Sequence, residues 1–233
     1  MKHKTKKRLS DNRTIKNTTM AISRKMLAQN IVLVTDSINV TSFSQYWFIK
    51  NGIFEEVDFQ GSIFTPGLTL INTSDCQMTI VPNQIQLELK NDNQAMTMQC
   101  IENRMFKLIR CLLNVKVVAI GLNYIWKLQD DERTIPVLSK TLFGNVESGI
   151  QSFFCKEDAR FGAYYSQNID LSTRLKLDIK PSLAKENGQN IDFIMYNFNF
   201  HCDVPEQQME EVLLNQLNKW QQFNNLANEL VCL

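Results

Sequence analysis

The stretch VVAIGLNYIWKL, residues 117–128, decides how this chain folds. Seven of its first nine residues are apolar or aromatic, and Gly121 lies in the middle. A phosphate-cradling loop needs several glycines followed by a helix start, so that free N–H groups point at the anion. Here Asn123, Tyr124, Ile125 and Trp126 follow, and they start helices poorly. The segment therefore reads as a buried strand. Gly121 reads as a packing notch in that strand, beneath a helix predicted over 95–113.

That helix is visible upstream. Met98, Ile101, Met105, Leu108 and Leu112 step by 3, 4, 3 and 4, which is a single helical stripe. Before it, NIVLVTDSINV (30–40) is a β-branched strand, and TSFSQYWFIKNG (41–52) a short helix capped by Thr41 or Ser42. GSIFTPGLTLI, CQMTIVP and IQLELK, separated by Pro66-Gly67, Asn72–Asp75 and Pro82-Asn83, form antiparallel strands. Ile85, Leu87 and Leu89 alternate with Gln86, Glu88 and Lys90, so one face is buried and one is wet.

Downstream the theme repeats. ARFGAYYSQNI and TRLKLDIKP read as strands, and AKENGQN (184–190) as a loop. In IDFIMYNFNFHCDV (191–204), Phe193, Met195, Asn197, Asn199 and His201 share one face, and Ile194, Tyr196, Phe198 and Phe200 the other. Pro205 opens a final helix of about 26 residues, whose apolar side includes Trp220 and Phe223. LELK (87–90) and LDIK (177–180) hold comparable places. The fold class predicted is α+β, with two similar halves, each antiparallel strands followed by a long amphipathic helix. The divisions are a disordered basic tail at 1–19, one half at 20–130 and a second at 131–233, as two units or one continuous domain. QDDERTIP (129–136) is the link, and 139–154 is helical near it.

The net charge of +1 hides an asymmetry: residues 1–19 carry +6 and the remainder −5. The tail has too little apolar surface to order itself. Its Lys4, Lys6, Lys7 and Arg8 suit nucleic acid or an anionic surface, or serve only as a solubilising extension ahead of a start at Met20. It lacks the apolar core of a secretory signal, and no apolar run approaches the roughly 18 residues that span a membrane. Six scattered cysteines without a CxxC pair do not make a disulfide framework or a zinc motif. These features predict a soluble, cytoplasmic protein without cofactor or metal.

Three chemistries compete. A metal-dependent nuclease sets an upstream carboxylate against an acid-x-Lys strand. Asp75 with Glu88 and Lys90 has that spacing, as, less well, does Asp170 with Asp178 and Lys180; simple alternating strands produce the same triplets. His201 and Asp203 share a face and can pair, whereas Cys202 points away from His201, so no thiol catalysis follows. Nucleic-acid binding rests on the tail and on aromatics near polar groups at 44–50 and 163–168, against an acidic body. Protein interaction rests on the last helix, where Leu214 and Leu226 lie beside the main stripe, and Trp220 and Phe223 are anchor types.

VVAIGLNYIW also resembles the hallmark strand of an uncharacterised, sporadically distributed bacterial protein family, in which arginine, isoleucine, glycine, leucine, arginine and tyrosine are commonly followed by isoleucine and asparagine. MTIVPNQIQLEL (78–89) is similar to that family's strand-turn-strand, and Asp203 ahead of the last helix to its strand end. Ala119 and Asn123 stand where the family has arginines, and Trp126 where it has asparagine, so no role of those positions carries over. The resemblance implies a two-part α+β fold without established enzymatic chemistry, associated with mobile and defence genes. The expected function is a non-enzymatic accessory or recognition subunit in a phage-defence or mobile-element setting. Its partners are other protein subunits or further copies of the chain, with nucleic acid reached through the tail. A metal-dependent nuclease and a nucleic-acid-binding subunit are the alternatives.

Overall fold

The computed structural model describes residues 22–112, 115–144, 153–186 and 188–231. The basic tail at 1–19 lies outside them, as do residues 145–152 of the helix expected over 139–154. The opening stretch is strand β6 (Val117–Asp130). It pairs with β1 (Ile22–Thr35) on one side and β9 (Gln189–Asp203) on the other. The short strands β2 (Ile63–Thr65), β3 (Leu68–Asn72), β4 (Cys76–Val81) and β5 (Gln84–Leu89) run outward from β1. β7 (Ala163–Asn168) and β8 (Thr173–Glu186) continue beyond β9. The result is one nine-stranded sheet, ordered β2-β3-β4-β5-β1-β6-β9-β8-β7, with every pairing antiparallel.

This corrects the expected two halves, each with a long helix. The physical reason is the ladder between β1 and β6, which runs from Ile22 opposite Asp130 to Thr35 opposite Val117. It leaves no sheet edge between the halves. The predicted link also disappears: β6 continues through Asp130, whose carboxylate accepts from the backbone N–H groups of Glu132 and Arg133 and from the Arg133 side chain.

The helices are short. α1 (Gln45–Lys50) is capped by Ser44, which accepts from the Trp47 N–H, and not by Thr41 or Ser42; Val40–Ser42 is a separate 3-10 turn. The Met98 stripe becomes α2 (Gln94–Ile101), a π turn at Glu102–Phe106, and α3 (Lys107–Cys111). α4 (Ile135–Phe143) begins with Pro136 in its first turn. The C-terminal helix is two pieces, α5 (Met209–Asn218) and α6 (Trp220–Leu230), separated at Lys219. Residues 184–190 are no loop: β8 runs to Glu186, Gly188 turns at φ 80°, and β9 starts at Gln189. Only glycine takes that left-handed conformation without strain.

All six described helices cover the same face. Beneath them lie Ile85, Leu87, Ile31, Leu33, Ile120, Leu122, Tyr124, Phe198 and Phe200, all buried. Trp220 and Phe223 complete this core, Trp220 against Tyr124 at 4.6 Å between ring centroids and Phe223 stacked on Phe200 at 4.4 Å. The Tyr124 hydroxyl donates to the Trp220 carbonyl at 2.7 Å, next to the break at Lys219. Desolvation makes such a bond necessary, because a buried hydroxyl left without a partner is costly. No described helix is long and apolar enough to cross a membrane.

Candidate functional site

The second face of the sheet carries no described helix. Strand alternation sends every other side chain there, and antiparallel register aligns them into rows. One row crosses eight strands: Asn72, Gln77, Glu88, Asn30, Asn123, Asn199, Lys176 and Ser166. All eight are polar. At its centre Asn199 Nδ2 donates to Asn123 Oδ1 at 2.6 Å, and Asn123 Nδ2 donates to Asn30 Oδ1 at 2.8 Å. This chain of amides leaves a donor at the Asn30 end and an acceptor at the Asn199 end.

Gly121 belongs to the neighbouring row, between Val32 and His201. It is a notch, but on the open face and not beneath a helix. A β-carbon there would lie 2.9 Å from Asn199 Nδ2. The glycine makes room for the amide ladder. His201 follows in that row, with its Nε2 3.0 Å from Asp203 Oδ1, then Arg174. Cys202 turns into the core on the other face, 1% exposed, and burial raises its thiol pKa.

The open face holds Lys25, Lys90, Lys127, Arg174, Lys176 and Lys180 against Glu88, Asp178, Glu186 and Asp203. That is a positive excess on a chain whose body is acidic. Several cations are engaged: Lys90 with Asn72 Oδ1 and the Thr73 carbonyl, Lys127 with Glu186 at 2.7 Å, Lys180 with Asp178 at 3.0 Å. Arg174 is held by Ser166 and Asn168 without an ion pair, and Lys176 has neither hydrogen bond nor ion pair among the described residues. Lys127 attracts the Glu186 carboxyl and holds it below its ordinary pKa.

The nuclease residues divide. The Asp75 carboxylate accepts from Thr73 and turns toward Cys100 on the helix side, whereas Glu88 sits on the open face between Gln77 and Asn30. Asp178 and Lys180 are together, but Asp170 lies in the β7–β8 turn and pairs with Lys219 at 2.9 Å, toward the helices. Neither triplet converges. Trp220 and Phe223 are 1% exposed, and Leu214 and Leu226 pack half-buried against the same core. These four hold the helix layer to the sheet.

Among the described residues, three of the cavities flank the sheet. A 400 Å³ groove on the helix side of β7 is lined by Leu142, Phe143, Tyr165, Leu177, Tyr196 and Leu230. Burial, with Tyr165 beside it, pushes the Tyr196 hydroxyl up to about 12. A 470 Å³ cavity lies between Phe43 and Phe64. A 330 Å³ cavity includes Arg24, Trp126 and Asn224; the Trp126 indole N–H and the Asn224 Oδ1 are buried without partners.

Sequence reasoning missed the amide ladder. Its signal was three asparagines at open-face positions inside apolar strands, but their alignment depends on a register that one strand does not reveal. No family model, curated protein or solved structure matches this chain.

Proposed function

We propose that this chain is a non-enzymatic recognition subunit that holds duplex nucleic acid on the open face of its sheet. The observation that carries the reading is the row from Asn72 to Ser166, polar at every position, with Lys176 within it and Arg174 beside it in the neighbouring row. Nine strands span roughly 40 Å at the usual inter-strand spacing, enough for a duplex to lie across. Lysine, arginine and amide side chains are the groups that contact phosphates and groove edges, and sheets serve as readers of grooves. Among the described residues the exposed aromatic on this face is Tyr164, at the β7 edge beside Asp178, while the central strands β1, β6 and β9 present amides and not the aromatic stack that single strands use, which favours a duplex. The cationic tail adds to the same attraction.

The test is equilibrium binding of a labelled duplex to the full chain over a salt series. Replacing Arg174 and Lys176 by alanine is expected to weaken binding and to reduce the salt slope by about 0.9 for each phosphate that is no longer neutralised. Unchanged affinity and slope would refute this use of the face.

A second reading is a protein partner at the β7 edge, favoured because β7 ends the sheet. Tyr165 and Leu142 are exposed there beside the 400 Å³ groove. Unpaired strand edges and contiguous apolar surface are where chains dock. Replacement of Tyr165 by lysine is expected to abolish self-association or subunit capture and to leave duplex binding intact.

A further inference from the structure

We propose that Asp75, Cys76 and Cys100 form a binding site for a soft divalent cation, with zinc the expected ion. Cys76 opens β4 and points under the helices, 0% exposed; Cys100 comes down from α2, 5% exposed. Asp75 precedes β4 in the turn. One ligand atom from each of the three lies within 4.8 Å of the others. Thr73 Oγ1 joins them, 2.5 Å from Asp75 Oδ1 and 3.4 Å from Cys76 Sγ.

Two sulfurs and a carboxylate oxygen match the donor set of tetrahedral zinc, and a water completes four, with the Thr73 hydroxyl orienting Asp75. With Zn–S near 2.3 Å and Zn–O near 2.0 Å, ligand atoms in a tetrahedron stand roughly 3.5–3.8 Å apart, so ligand atoms now within 4.8 Å of one another draw in by up to about 1 Å to close the shell. Thiolates select zinc over magnesium or calcium, which demand oxygen shells. Two thiolates and one carboxylate bring −3 and the ion +2, and the Arg104 guanidinium, which acts on both Asp75 and Cys76, offsets part of the remainder. Arg104 is itself fixed by the Ile53 carbonyl and shared with Asp58 at 3.4 Å. Such compensation matters in a setting that penalises unpaired charge.

On binding, each thiol gives its proton to buffer as its sulfur–metal bond forms. The ion would tie β4 to α2, joining sheet to helix layer. The half-buried Asp75 and Thr73 form the entrance. The sequence hid this site because its thiols stand 24 positions apart without a metal-binding spacing.

The experiment is a titration of the reduced, chelator-treated full chain with Co²⁺, then Zn²⁺. The expected result is one Co²⁺ per chain with intense sulfur-to-metal absorption and tetrahedral ligand-field bands, displaced by Zn²⁺. Thr73→Val, which removes the hydroxyl that orients Asp75, should weaken zinc about 10- to 100-fold. Asp75→Asn and Cys100→Ala should remove the tetrahedral spectrum. The exposed Cys155 replaced by serine should leave it unchanged; circular dichroism of each variant confirms its fold. Absence of stoichiometric binding by the reduced wild type, or a spectrum that survives Cys100→Ala in the folded variant, would overturn the proposal. So would a Cys76–Cys100 disulfide in the protein as isolated under reducing conditions.

Discussion

The side-chain amide of Asn199 stands 2.9 Å from the point that a β-carbon on Gly121 would occupy. The glycine and the amide ladder are therefore one feature. In Gly121→Ala the amide must swing away and give up its bond to Asn123, which costs about 1 kcal/mol. Alanine recovers about 0.5–1 kcal/mol by restricting the unfolded chain. Stability to urea should change by less than about 1 kcal/mol, while duplex binding weakens. A collapse of stability would show that backbone, and not a movable amide, fills the space.

Tyr124 is 0% exposed, and its hydroxyl has the Trp220 carbonyl as partner. Burial raises its pKa well above that of a free phenol, so it stays a donor throughout the working pH range. Tyr124→Phe removes the bond and leaves the carbonyl, and should cost about 1–2 kcal/mol. Trp220→Ala should cost about 3–5 kcal/mol, because it opens a cavity under the junction of α5 and α6. Chemical denaturation checks both. A neutral Tyr124→Phe would mean that this bond does not hold the junction.

Asp170 gives the fold an acid dependence. Burial opposes its charge, but the Lys219 ammonium and the backbone N–H groups of Ser172 and Thr173 prevail and pull its carboxyl well below the ordinary carboxylate range. The folded pKa is below the unfolded one, near 3.9, so the contribution is full above that value and is lost as pH falls through it toward the folded pKa. Asp170→Asn should therefore be less stable than wild type at neutral pH, by a solvent-screened amount, with the gap closing progressively below about pH 4. A gap that persists undiminished in strong acid would assign the loss to packing instead.

Much of the secondary structure is legible in the sequence because alternation and helical stripes are local properties. The faces of β9 follow from alternation alone, from Phe193 to His201, as does the pairing of His201 with Asp203. Assembly does not. Ser23, Arg24 and Lys25 hide the first half of β1, since polar residues near the end of a long strand look like loop. Without that half, the ladder to β6 that fuses the sheet is not visible. The last helix reads as continuous because its stripe passes smoothly through Lys219, where only backbone geometry marks the break. Trp220 and Phe223 suggest an interface by residue type, yet the sheet they cover claims them for its core. The acidic body argues against a nucleic-acid surface until the sheet places Arg174 and Lys176 on one face and Asp170 toward the other.

The most direct test of the open face as the working surface is lysine footprinting of the full chain with and without a duplex. Lys176 and Lys180 lie on the open face, and Lys140 is exposed on α4 across the sheet. The duplex should protect Lys176 and Lys180 from acylation and leave Lys140 as reactive as before. Protection of Lys140 with Lys176 unchanged would contradict this assignment of the open face.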